Sequence, residues 1–419
     1  MSLNKLSEYG FFLFLFLLPF QTVFLLRDPF IDGEKWQYGT IGVYAIDIVL
    51  AIMLGLVLVR WLQSIKYKVS GIQYGATEMT LMILMAWSGL SIFWANDQVL
   101  SLYFFVKILL GAGLFFVARS LDASLFKKVI LVLLLAGIIQ SSIGIGQFLY
   151  QHSPASTWLG MSAHEASQAG SSVLKIDGGR FLRAYGTFPH PNLLGGFLGA
   201  VLMLGSMYYV SSIRYEKSWK CLGEIVFTLS GLLVVSLGLI LTFSRTAWLG
   251  AGLGIVAIGL YAFRQEDSWI RGRFLKIFLA LGLASLVFGS VLYEQISPRF
   301  DTVTIEREGS VSERVASLQD AKASIAEQPI IGVGAGNFTA EIMQLQPERP
   351  VWSIQPAHNV FMLVWSELGL IGLILFGLFL FQVVTQSNKN VIFGIALLAL
   401  VPSLFFDHWL WTSHFGLLF

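Results

Sequence analysis

"RFLRAYGTFPHPNLLGGFL" (residues 180–198) sets two arginines, a histidine and two prolines against an apolar run that can cross a bilayer. Outward from it, the 419-residue chain is 56% hydrophobic and 12% charged, with a mean hydropathy of +0.72. Soluble domains carry about 25% charged residues, so this composition is that of a polytopic membrane protein. A span needs roughly 20 apolar residues. Candidates lie at 9–26, 41–61, 77–95, 99–118, 126–150, 190–212, 222–241, 245–263, 274–296, 358–384 and 391–408. Residues 409–419 are too few for a further full span. The expected fold is an all-α polytopic membrane protein of about 11–12 transmembrane helices, a single integral membrane domain over 1–419. The first segment lacks a small-residue cleavage site and reads as a retained span, not a signal peptide.

Charge placement sets the orientation. With the N-terminus inside, the inner segments hold fifteen basic residues: Lys5, Arg60, Lys66, Lys68, Arg119, Lys127, Lys128, Arg214, Lys217, Lys220, Arg264, Arg271, Arg273, Lys276 and Lys389. The short outer loops hold Arg27, Lys35 and Arg245. Long loops do not count in the positive-inside rule. Two long segments, 151–189 and 297–357, then face outward. The single cysteine, Cys221, excludes an internal disulfide. Neither a cofactor nor a nucleic-acid partner is expected.

The second outer segment contains "SVSERVASLQDAKASIAEQP" (310–329), where Val311, Val315, Leu318 and Ile325 recur at helical spacing. That pattern predicts an amphipathic helix ended by Pro329, lying on or near the membrane surface. "GVGAGNF" (332–338) lacks the preceding strand and the following Lys-Ser/Thr of a nucleotide loop, and reads as a Gly-rich turn.

Three helix mouths carry the chemistry. In "TFSRTAWLG" (242–250), Arg245 sits in a connection of very few residues between two spans. It either snorkels to headgroups or marks a ligand path. Arg180 and Arg183 precede Pro189, Pro191 and a helix N-terminus, a setting that favours anions and phosphate above all. His190, within "PHPN", reads as an interface or capping residue. "PAHNVFMLVWSELGLIGL" (356–373) opens another outward mouth with His358 and Asn359. Glu367, nine residues deeper, is two and a half turns on and points away from His358, toward a neighbouring helix.

All six histidines fall on the outer side, yet none has the spacing of a metal centre, so no metal is expected. His408 and His414, beside Trp409 and Trp411, read as an aromatic interface belt. Lys107, near mid-membrane, needs a partner, and Asp47 is the candidate.

Taken together, "RAYGTFPHPNLLGGFL", "SRTAWLG" and "GVGAGNF…AHNVFMLVWSELGLIGL" resemble the signature regions of the bacterial O-antigen ligase and polymerase family, over about residues 180–380. The resemblance implies a GT-C-like membrane glycosyltransferase at the outer, periplasmic face of the bacterial inner membrane. It would move a glycan from an undecaprenyl-diphosphate carrier to an acceptor hydroxyl. In ligases that acceptor is lipid A-core; in polymerases it is another carrier-linked repeat. Carried over by position, Arg183 and Arg245 match the diphosphate-contacting arginines and His358 the histidine that activates the acceptor. Arg314 resembles a further arginine. Arg180 and Asn359 are additional candidates. The family often has Asn where His190 stands, and "DHWLWTSHFG" (407–416) ends sooner than its last motif usually does. The implied reaction is inverting, and with no Asp-x-Asp motif in the outer loops it is expected to need no metal. The competing readings are a polymerase, a flippase or transporter of lipid-linked sugars, and a structural membrane subunit. One-sided clustering of charge argues against the transporter.

Overall fold

The computed structural model describes residues 3–66, 75–120, 122–176, 179–211, 219–300, 310–387 and 391–419. Lys68, Arg214, Lys217 and Lys389 of the charge argument lie outside them. Among the described residues, a helix stands at or near each expected span: α1 (Leu3–Leu17), α2 (Ala45–Lys66), α3 (Ala76–Leu90), α4 (Gln98–Arg119), α5 (Phe126–Tyr150), α6 (Pro191–Ser211), α7 (Trp219–Leu241), α8 (Arg245–Arg264), α9 (Ser268–Val291) and, after α10 (Ser310–Glu327) and α11 (Phe338–Leu345), α12 (Val360–Ser387) and α13 (Val391–Phe406). Eight are long and apolar enough to cross a membrane, and the chain is an all-α polytopic membrane protein. The last residues form two short helices, α14 (Trp409–Thr412) and α15 (His414–Leu418), and no twelfth span.

One span differs in kind. Residues 9–26 do not form a continuous helix: α1 stops at Leu17, just before Pro19, which has no N–H to extend the ladder. The apolar run that follows becomes β1 (Val23–Arg27), paired antiparallel with β4 (Ile41–Tyr44), while β2 (Phe30–Ile31) and β3 (Glu34–Lys35) close the loop between them. In 151–189, β5 (His152–Ser153) pairs with β6 (His164–Glu165), and β7 (Val173–Ile176) with β8 (Gly179–Leu182).

At the centre stands α6. Pro191 is its first residue, a position where the missing N–H costs nothing. Small residues let its neighbours approach closely. A Cβ on Gly195 would lie 2.9 Å from that of Ala247 in α8, and one on Gly196 would collide with the Trp409 ring. The irregular stretch 183–188 that leads into α6 is buried, so its backbone needs partners. Two glutamines of α5 supply them. Gln147 Oε1 accepts from the Tyr185 and Gly186 N–H groups, and Gln140 Oε1 from Thr187 N–H.

The apolar run of α12 is broken at Gly369 (φ +68°). The segment after Pro329 docks into the break. Val333 and Gly334 N–H donate to the Ser366 and Glu367 carbonyls (both 2.9 Å), and Leu370 N–H donates to the Pro329 carbonyl (3.0 Å). The Gly-rich turn follows at once, with Gly332, Gly334 and Gly336 all at positive φ. The predicted helix α10 forms, but on a different face. Val315 is 49% exposed, whereas Ser317, Asp320, Ala321 and Ser324 are buried. Small side chains win there because α10 lies close to α12, near enough for Ser366 Oγ to donate to the Ala321 carbonyl.

Candidate functional site

A cavity of about 1050 Å³ opens among the outer loops and helix mouths. Arg180, Arg183, Arg245, Arg314 and His358, drawn from separate segments, all line it. Asn359 serves a different end: its Oδ1 accepts from Met362 N–H, capping the first turn of α12.

Arg183 is 6% exposed, and its guanidinium is held by three neutral oxygens. Nε donates to the Thr242 carbonyl (2.7 Å), Nη1 to Ser172 Oγ (2.8 Å) and Nη2 to Asn192 Oδ1 (2.9 Å). These acceptors fix the orientation of the guanidinium. Thr242 belongs to the three-residue turn that delivers Arg245 as the first residue of α8, so one hydrogen bond couples the two arginine segments. Arg245 is half-buried, and Ser244 caps its helix. Arg180 is exposed on β8 and donates to the Ala166 and Gln168 carbonyls. Arg314, on α10, is half-buried at the rim. A further arginine, Arg299, lines the same cavity at 7% exposure and donates from Nη2 to the Phe243 carbonyl (2.9 Å), in the turn that carries Arg245.

The histidines gather around one carboxylate. Asn192 Nδ2 donates to Asp407 Oδ2 (2.7 Å), and His408 N–H donates to Asp407 Oδ1 (2.9 Å). The His408 ring meets the His358 ring edge-on, centroids 5.0 Å apart. His190 Nδ1 accepts from Asn192 N–H, the capping role expected of it. Burial pushes His358 down to about 3, with His408 and Arg314 adding to the shift against the pull of Asp407. His190 falls to about 3 through burial and the Arg183 charge. Burial alone would raise Asp407, but the surrounding histidines and the His408 N–H hold it below the usual carboxylate range. At neutral pH the cluster is therefore a carboxylate among neutral imidazoles.

A tautomer follows for His358. Ser317 Oγ donates its proton to the Arg314 carbonyl (3.0 Å), so it can only accept from His358 Nδ1, 3.4 Å away. The proton-free nitrogen is then Nε2, a neutral base on a residue that lines the cavity. Glu367 also lines the cavity, but Gly336 N–H and Trp411 Nε1 both donate to its Oε2, tying the glycine turn to α14.

The reading of residues 408–414 as an interface belt is corrected: Trp409, Trp411 and His414 are buried, and His408 stands in the cavity wall. The chain folds back under the cavity there because α14 and α15 are too short to leave it. Arg299 and the Asn192 link were also missed. Asp407, at the edge of a span where an ionisable group is expected to pair or line a wet cavity, does both. Lys107 pairs with Asp47 as expected, Nζ to Oδ2 at 2.5 Å. Among the described residues, no group of three His, Cys, Asp or Glu side chains is arranged to hold a metal ion.

No curated protein matches the chain. Residues 230–377 match the family model described as O-Antigen ligase, a region that includes Arg245, Arg299, Arg314 and His358. That match supports the family resemblance over this region and indicates membrane glycosyltransferase activity of the O-antigen ligase/polymerase type.

Proposed function

We propose that this protein is an O-antigen ligase that moves a glycan from undecaprenyl diphosphate to a hydroxyl of lipid A-core, at the periplasmic face of the bacterial inner membrane. One observation carries the reading: arginines from separate segments converge with a neutral histidine on one cavity. Arg183 and Arg245 hold the diphosphate, each contact contributing about 1.5–3 kcal/mol in a partly dry site. The acceptor oxygen attacks the anomeric carbon as the carbon–oxygen bond to the diphosphate breaks. Its proton passes to His358 Nε2, and the bonding pair leaves with the carrier, where the arginines stabilise the added charge. A single displacement inverts the anomeric centre. The arginines take the place of a divalent cation.

The test uses purified protein, an undecaprenyl-diphosphate-linked glycan and EDTA, with and without lipid A-core, resolved on a gel. One acceptor-dependent shifted band is expected, and Arg183→Ala and Arg245→Ala should each remove it. A ladder formed without lipid A-core would make the protein a polymerase. Product that appears only when divalent metal is restored would overturn the arginine mechanism.

A further inference from the structure

The part of the cavity lined by β4, α4 and α15 has a different character. Lys107 Nζ lies 4.9 Å from the centre of the Tyr44 ring and 5.1 Å from that of Tyr103. Behind it, Asp47 Oδ2 takes both the Lys107 Nζ contact and the Tyr44 N–H (3.0 Å). His414 stacks on Tyr44, centroids 3.9 Å apart and planes 18° from parallel, with Nε2 3.2 Å from Asp47 Oδ1. Tyr44, Tyr103, Lys107 and His414 all line the cavity. None of these residues falls within 230–377.

The lining residues fall into two groups that differ in charge. One is rich in arginine. In the other, Lys107 is matched by Asp47, leaving aromatic rings and hydrogen-bonding groups with no net charge. A diphosphate gains nothing from such a surface. An uncharged sugar ring does: its C–H faces lie on aromatic rings, and its hydroxyls need donors and acceptors in fixed places. Lys107 has ammonium protons beyond the one directed at Asp47, and Tyr103 presents a half-buried phenol.

We propose that Tyr44, Tyr103 and the Lys107–Asp47 pair form a subsite for an uncharged sugar ring of the acceptor, in the same cavity as the arginines. The proposal rests on the glycan-transfer reading above for the word acceptor. The subsite itself is defined by what it binds. Acceptor choice then resides outside the region shared with the family, and diphosphate chemistry largely within it.

Binding separates the two ideas. The probes are dephosphorylated core oligosaccharide and undecaprenyl diphosphate, titrated onto protein in nanodiscs. Tyr103→Ala, and separately the paired change Asp47→Asn with Lys107→Met, should weaken the oligosaccharide at least about tenfold and leave undecaprenyl diphosphate within about twofold. The paired change removes both charges together, since a lone buried charge would destabilise the fold. A photoreactive core oligosaccharide on the wild-type protein should label the peptide containing Tyr103. No oligosaccharide binding by the wild type, labelling confined to 310–345, or equal weakening of both probes overturns the subsite. Oligosaccharide binding without any transfer would leave the subsite standing and overturn the transferase reading.

Discussion

Asn192 stands between Arg183 and Asp407, accepting from one and donating to the other at 2.9 and 2.7 Å. The amide thus passes the influence of a carboxylate to a cation it does not touch. Asn192→Leu removes both bonds and leaves Arg183 and Asp407 with unmet partners in a buried site. Transfer should fall about 10- to 100-fold, the usual cost of losing an orienting partner. Steady-state kinetics against donor concentration would check this; an unchanged rate would show that Arg183 needs no such support.

Ser317 sets the tautomer of His358. Ser317→Ala frees Nδ1 to lose its proton and divides the imidazole between two forms. We expect kcat lowered by about threefold to tenfold with donor binding unchanged. Ser317→Thr keeps the hydroxyl and should restore most of the rate. Equal losses in both variants would point to packing against α12 instead.

The pH profile has a definite sign. His358 is lowered in the folded protein, so its basic form persists well below the ordinary histidine range. In the free enzyme kcat/KM should stay flat from about pH 7.5 down to about pH 5, where an ordinary histidine base would already have lost most of its activity. A decline centred near the unperturbed histidine value would show that burial does not protect the imidazole.

Arg299 is expected to matter as much as the arginines named from the sequence. It reaches the same turn as Arg245 and faces the same cavity. Arg299→Ala should reduce kcat/KM about 100-fold, and Arg299→Lys should recover part of that loss. Titration of undecaprenyl diphosphate onto both variants would separate loss of binding from loss of rate.

Gly369 admits no side chain, because a Cβ there would collide with the Ile330 carbonyl, and its φ of +68° is strained for any other residue. Gly369→Ala should destabilise the protein by roughly 1–3 kcal/mol. Thermal unfolding in detergent would read this as a lower midpoint.

The membrane character, the helix positions and the cation-bearing mouths were legible because charge is conspicuous in an apolar chain. Arg183, Arg245, Arg314 and His358 stand out for that reason, as does Lys107, whose cost in a span demands Asp47. What escaped reading depends on contacts between distant segments. His408 sits in an aromatic stretch that looks like an interface until α14 and α15 fold beneath the cavity. The break at Gly369 hides inside an unbroken apolar run, since the groups that satisfy it come from Pro329–Gly334. The buried face of α10 is small and polar, so hydrophobic periodicity pointed to the wrong side. Gln140 and Gln147, seven apart on α5, were a readable hint that irregular backbone lay alongside.

The joint between α10 and α12 is made largely of main chain. Carbonyl and amide groups are the same whatever side chains surround them, so the socket at Gly369 holds its plug by a feature that substitution seldom alters. Helix α10, with Arg314 at the rim, therefore behaves as an exchangeable module. Its exposed residues can diverge freely while the rim arginine stays at its post.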